Sequence, residues 1–266
     1  DEPFELDALS RYVLNERFVT TEHQDWTARL RAEGKLPTGN IADISLQPIR
    51  KQSQALADAL AAIIGGPLDE VRPKREEINL ELSCLCPLTS DLDSASSGSQ
   101  TQSNTVLQSI QITGWIDNLY NGNLLFWRPG KVKGNNITQL WLTWLALCAN
   151  GSVAKDKCAY FVGIDDKEPF RVGVVDMAEA KTQLAVFIRY WRIGQRQVLH
   201  FYPKTAYEWL SVQDETKALL KAQQAFYGSH FAKGEGEEPH IRRVCPDLTQ
   251  HFDAFSDVSH ALLGPL

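Results

Sequence analysis

Residues 112–149, ITGWIDNLYNGNLLFWRPGKVKGNNITQLWLTWLALCA, decide the fold. Val106–Asp117 alternates apolar and polar residues, with Ile110, Ile112 and Ile116 on one face, and reads as a strand. Asn121-Gly122 is a hairpin turn signal, because both residues tolerate the left-handed backbone that tight β-turns need. Asn123–Arg128 is the returning strand. The period then changes to that of a helix over Ile137–Ala149, with Trp141, Trp144, Leu145 and Cys148 on one side.

Upstream, residues 4–33 read as two helices, through Leu6, Leu9, Tyr12 and Val13 and then Phe18, Trp26 and Leu30. Gly34 stops the second, and LPTG follows as a loop. A helix rich in Ala and Leu is expected from Pro48 to Ile64, ending at Gly65-Gly66-Pro67. Ile78, Leu80, Leu82, Cys84 and Cys86 alternate with polar residues, so Glu76–Cys86 reads as a strand with both thiols on its apolar face. A serine-rich, weakly apolar stretch over about 88–105 reads as a mobile hairpin tip or disordered insertion.

Downstream, strands are expected at Ala159–Ile164 and Phe170–Val175 around the polar turn DDKEP. Asp176 caps a long helix whose apolar face is Leu184, Phe187, Ile188 and Trp191. Val198–Tyr202 reads as a short strand before Pro203, and two or three helices finish the chain. The order defines an α/β (α+β) domain with a mixed central sheet flanked by helices. The 266 residues suffice for a substantial core, and we read a chain opening at Asp1 as part of a longer protein.

A net charge of −6 argues against a free-standing nucleic-acid binder, without excluding a local contact. No run of about 18 apolar residues occurs, so no membrane span is expected. Five cysteines at irregular spacing make a poor disulfide framework and fit free thiols in a reducing cytoplasm. Cys84 and Cys86 lack the further ligands of a zinc site, and the scattered histidines show no metal spacing.

The strand–turn–strand–helix layout is that of a PD-(D/E)xK nuclease core. Such cores hold hard divalent cations through carboxylates on adjacent strands, and a lysine two residues after the second acid adds positive charge on the same face. Asp117 ends a Gly-x-Ile-Asp strand and stands at the first acid, although a strand-end aspartate also serves simply to fix a turn. In LLFWRP, Phe126 takes the acid position and Arg128 the lysine position. Phenylalanine cannot ligate a metal, arginine stays protonated, and one isolated carboxylate holds magnesium poorly. The fold expected is therefore nuclease-like with a degenerate active site, and no cofactor or metal is expected.

Arg128, Lys131 and Lys133 form a basic cluster beside that site, which reads as a solvated loop or as a phosphate contact. Arg189, Arg192 and Arg196 make a second basic stripe at helical spacing. The acidic run at Glu235–Pro239 reads as an exposed turn or a protein contact. Trp115, Trp127, Trp141, Trp144 and Trp191 are expected first in core packing, with an interface role as the alternative for one or two.

Several long segments resemble the C-terminal domain of the RecC family, the gamma chain of exonuclease V. They are EPFELDALSRYVLN, RLRAEGKLPTGNIAD, QITGWIDN with LLFWRPG, QLWLTWLALCANG, HFYPKTAYEWL and FYGSHFAKGEGEEPHIRR. The resemblance covers the chain apart from the serine-rich insertion. It implies a fold like the RecB nuclease domain with its active site lost. Asp43 follows Gly39 where active relatives carry a histidine, and Trp141 and Thr143 stand where the active helix carries glutamine and tyrosine. It further implies contacts with RecB and RecD subunits, and a strand-splitting pin, placed here at 84–109, acting at a duplex/single-strand DNA junction. The function expected is non-catalytic assembly and strand separation within a RecBCD-type enzyme of DNA repair and recombination. The rivals are an active magnesium-dependent nuclease and an assembly module without DNA contact.

Overall fold

The computed structural model describes residues 6–20, 26–36, 40–87, 105–164, 166, 168–229 and 232–266. The tip of the expected pin and Gly39 lie outside the described residues. The helices are α1 (Ala8–Thr20), α2 (Trp26–Ala32), α3 (Asn40–Ile64), α4 (Gly134–Asn150), α5 (Met177–Gly194), α6 (Pro203–Leu210), α7 (Glu215–Tyr227), α8 (Pro239–Val244) and α9 (Phe252–Leu263). The strands are β1 (Lys74–Pro87), β2 (Thr105–Tyr120), β3 (Asn123–Arg128), β4 (Ala159–Gly163) and β5 (Phe170–Val172).

The five strands form one sheet in sequence order. β2 and β3 are antiparallel through Leu119↔Leu124 and Tyr120↔Asn123, joined at a turn where Asn121 (φ 51°) and Gly122 (φ 82°) both take the expected left-handed backbone. β3 and β4 are parallel, from Leu124↔Ala159 to Arg128↔Gly163, and β4 and β5 are antiparallel. The sheet is thus mixed, as expected. A parallel step arises because the chain passes through α4 between β3 and β4 and re-enters in the same direction.

The contacts divide the chain into two compact units. One holds residues 1–75, 117–132 and 157–172; the other holds 76–116, 133–156 and 173–266. In the first unit, Leu14, Leu30, Leu36, Ala42, Leu46 and Ile49 pack α1 and α2 onto the start of α3. Leu56, Leu60 and Ile64 of the same helix cover Tyr120, Leu125, Val162 and Ile164 of the sheet. Ser53 Oγ donates to Asn15 Oδ1 at 2.7 Å, which ties α3 to α1 at a buried polar point.

α3 begins at Asn40 rather than Pro48, and Pro48 lies inside it. The proline's missing N–H costs one helical bond. Pro48 and Ile44, four residues before it, are both exposed, so water reaches the orphaned carbonyl. Ala42, Leu46 and Ile49 meanwhile hold their side of the helix in the core.

In the second unit α4 is the central element, with Ile137, Leu140, Trp141, Trp144, Leu145 and Cys148 buried. Trp144 Nε1 donates to the Gly173 carbonyl at 2.7 Å. Gly134 opens α4 so close to α6 that a Cβ there would lie 2.1 Å from the Pro203 carbonyl oxygen. Ile78, Leu80, Leu82 and Cys84 of β1 are buried as their period of two requires. Trp115 and Trp191 are exposed (54% and 63%), against the first expectation of core packing and in line with the alternative of an interface place for one or two of the tryptophans. Trp191 falls in the last turn of α5, beyond the buried positions Ala180 and Leu184.

Val198–Tyr202 is not a strand. Its rings are claimed by helix packing: Tyr202 lies 5.1 Å from Phe226 and 6.1 Å from Phe255, and His200 stacks on His251 at 4.1 Å and 11°. Pro203 then starts α6. Glu235, expected in an exposed turn or a protein contact, is buried within the chain. Its carboxylate accepts from Lys204 N (3.2 Å), Thr205 N (2.8 Å) and Thr205 Oγ1 (2.9 Å), so it satisfies the free N–H groups at the start of α6.

Two outcomes follow for the chain in urea unfolding. Glu235→Ala should cost about 3 kcal/mol, because buried donors lose a charged acceptor. An effect below about 1 kcal/mol would contradict the buried cap. Burial first, and then His251, holds the His200 imidazole below its ordinary range. The unfolded chain therefore takes up that proton more readily, so stability should fall as pH drops below about 6.5, and His200→Gln should remove that part of the loss.

Candidate functional site

β3 alternates. Leu125 and Trp127 face the α3 side of the sheet, where they join its core. Phe126 and Arg128 take the other face. Phe126 pairs in register with Phe161 of β4, with ring centroids 6.1 Å apart and tilted by 55°. At the expected acid position the structure thus holds a half-buried aromatic contact. The Arg128 guanidinium lies 6.0 Å over the Tyr12 ring of α1 and folds against Gly130, where a Cβ would sit 3.2 Å from Nε and Nη2. It is a half-buried packing group, while Lys131 and Lys133 are exposed.

Each retained acid holds an arginine. Asp117 accepts from Arg75 Nε at 3.1 Å, across β1 and β2. Asp43, in the first turn of α3, receives Arg31 Nη2 at 3.2 Å on both carboxylate oxygens. Both pairs are exposed on the surface. Directly after Asp117, Asn118 takes φ 65° and breaks the pleat, so that Leu119 and Tyr120 are buried in succession. The two arginines escaped the sequence reading. Arg31 stands twelve residues before Asp43 and Arg75 lies on another strand, so no local spacing marks either.

Trp141 and Thr143 lie in the second unit. Trp141 is buried in α4, and its indole N–H has no hydrogen-bond partner among the described residues. Thr143 Oγ1 bonds back to the Gln139 carbonyl at 2.8 Å, a contact within its own helix. No group of three or more His, Cys, Asp or Glu among the described residues is arranged to hold a metal ion. A cavity of about 280 Å³ in the first unit is lined by Lys51, Gln52, Leu56, Val162, Gly163 and Asp166, among others, and by none of the expected site residues. Cys84, Cys148, Cys158 and Cys245 are free thiols and buried. No helix among the described residues is long and apolar enough to cross a membrane.

The molecule is therefore a mixed α/β protein whose expected metal positions are an aromatic ring and two arginine-bound carboxylates. Comparison with known proteins gives its family. Residues 1–214 match the RecC C-terminal domain family, and the chain belongs to it. It is also similar to the RecBCD enzyme subunit RecC of Escherichia coli (strain K12), at 27% identity over 284 aligned positions. That alignment covers all of this chain and 22% of the relative's own length.

Substitutions at the two acid positions should separate cleanly in urea unfolding. Asp117→Ala breaks an exposed ion pair and should change stability by less than about 1 kcal/mol. Phe126→Asp loses the packed ring and desolvates a carboxylate, at a cost of roughly 2–4 kcal/mol. Equal effects would mean that position 126 still accommodates an acid.

Proposed function

We propose that this chain is a non-catalytic, nuclease-like domain of a RecBCD-type helicase–nuclease. The observation that carries the reading is the state of the acids: Phe126 fills the second acid position, and Asp43 and Asp117 are each neutralised by an arginine. A divalent cation needs several oxygen ligands and an unopposed negative field. Two guanidinium groups at 3.1–3.2 Å from those oxygens oppose it.

In this reading the domain serves recombinational repair of double-strand breaks by holding RecB and RecD subunits and guiding DNA, while chemistry and ATP hydrolysis belong elsewhere in the complex. Membership of the RecC C-terminal family and the similarity to a RecBCD subunit support it. The DNA contact falls to Lys131 and Lys133, which are exposed, more than to Arg128, which is packed against Tyr12 and Gly130. The pin is assigned to the ribbon of β1 and β2, whose lengths of 14 and 16 residues suit a protrusion.

The test has two arms. The purified chain with linear DNA and magnesium should release no fragments; cleavage abolished by Asp117→Ala would restore the active-nuclease alternative. A photoreactive label on Lys131→Cys should crosslink to forked DNA in the assembled enzyme. Absence of the crosslink there, with assembly intact, would leave an assembly module without DNA contact.

A further inference from the structure

β1 is an end strand of the sheet. Ser109 Oγ donates to Glu81 Oε1 at 2.6 Å and Gln111 Nε2 donates to Asn79 Oδ1 at 3.1 Å. These two cross-strand contacts run in opposite sequence directions, so β1 and β2 are antiparallel there. In such a ladder the N–H and C=O of one residue point to the same side, and successive residues alternate.

Asn150, the last residue of α4, marks which side faces away from β2. Its Nδ2 donates to the Glu77 carbonyl at 3.1 Å, and its Oδ1 accepts from Asn79 N at 3.2 Å. The side-chain amide thus occupies the place of one residue of a parallel strand opposite Ile78. Glu77 and Asn79 therefore point outward, and by alternation so do Glu81, Ser83 and Leu85. Among the described residues nothing bonds the outward peptide groups of Glu81 and Ser83, and the Leu85 carbonyl has only the Cys84 Sγ contact at 3.8 Å. Asn150 closes the first rung of the edge and leaves the next ones open.

The open stretch has a definite chemistry. Glu81, Ser83 and Leu85 are exposed, while Leu80, Leu82 and Cys84 between them are buried, so the strand is held on one face only. Glu77 and Glu81 project from the exposed face and form no ion pair among the described residues. Leu85 and, on β2, Leu107 add exposed apolar surface at the far end. An unprotected strand edge is a template for another strand.

We infer that the outer edge of β1 from Glu81 to Leu85 receives an extended segment of a sister subunit. That segment carries Lys or Arg opposite Glu81, within the field of the neighbouring Glu77, and an apolar residue opposite Leu85. The main-chain ladder supplies the affinity and the carboxylates select a basic occupant. The inference rests on the reading of the domain as an assembly module, and it names the surface and the mode.

Hydrogen exchange of the Glu81–Leu85 amides tests it, in the full-length subunit alone and in the assembled enzyme. Exchange should slow at least about tenfold on assembly, as new backbone bonds form. A complex that forms with unchanged exchange overturns the inference and leaves the assembly reading standing; failure to form a complex removes both. Ser83→Pro deletes one outward N–H and leaves the bonds to β2 untouched. It should weaken subunit binding on the order of tenfold with the thermal midpoint retained. Glu77→Arg with Glu81→Arg should weaken binding as well, and unchanged affinity in both variants overturns the inference.

Discussion

β3 is bonded on both sides, antiparallel to β2 and parallel to β4, and its leucines are covered on both faces. Leu124 and Leu125 are 0% and 1% exposed, so no face of this strand opens to water at its start. That constraint governs what position 126 can be. A carboxylate in the same half-buried place, beside Phe161, would lose part of its hydration, and a cation or several donors would offset that cost. A ring asks for nothing but contact. Phe126 packs on Phe161 with ring centroids 6.1 Å apart, a contact that is stable without any ion.

The two acids near this region are held by arginines. A carboxylate beside a bound metal is held by the metal; without one it takes the nearest cation on its own surface. Asp117 takes Arg75 from the adjacent strand, and Asp43 takes Arg31 from the preceding helix. Exposed pairs of this kind contribute little stability. Their importance is electrostatic, because each brings a fixed positive charge to oxygens that an ion would need. Arg128 keeps its charge but is held in packing, since its guanidinium is folded over Gly130 and Tyr12.

Much of the architecture was legible because local patterns matched local forces. The alternation of Ile78, Leu80, Leu82 and Cys84 gave β1, and Asn121-Gly122 gave the turn, with positive φ at both residues. Three features were not legible, each for the same reason. Pro48 stops a helix unless its lost bond faces water, which only the tertiary arrangement decides. Val198–Tyr202 has strand-like residues, yet Tyr202 and His200 find aromatic partners on later helices. Glu235 sits in an acidic run that reads as solvated, but the start of α6 draws its carboxylate inward. At the candidate site, the absence of an acid at 126 could be read directly, while the arginines on Asp43 and Asp117 came from distant segments.

The segments that carry the family likeness do structural work at named atoms. In RLRAEGK, Gly34 takes φ 66° to end α2, and Arg31 reaches Asp43. In CANG, Asn150 clamps the edge of β1, and Gly151 takes φ 74° to end α4. YPKTA and GEGEEP meet where Thr205 donates twice to Glu235, and Gly234 fits so tightly that a Cβ would lie 2.2 Å from the Phe226 carbonyl oxygen. None of these contacts concerns a metal or a phosphate. A likeness built on caps, clamps and close approaches depends on the scaffold's own requirements, which are independent of what side chain stands at position 126. The same contacts lie in the long segments that resemble the RecC C-terminal domain family, away from Phe126 and the two exposed ion pairs.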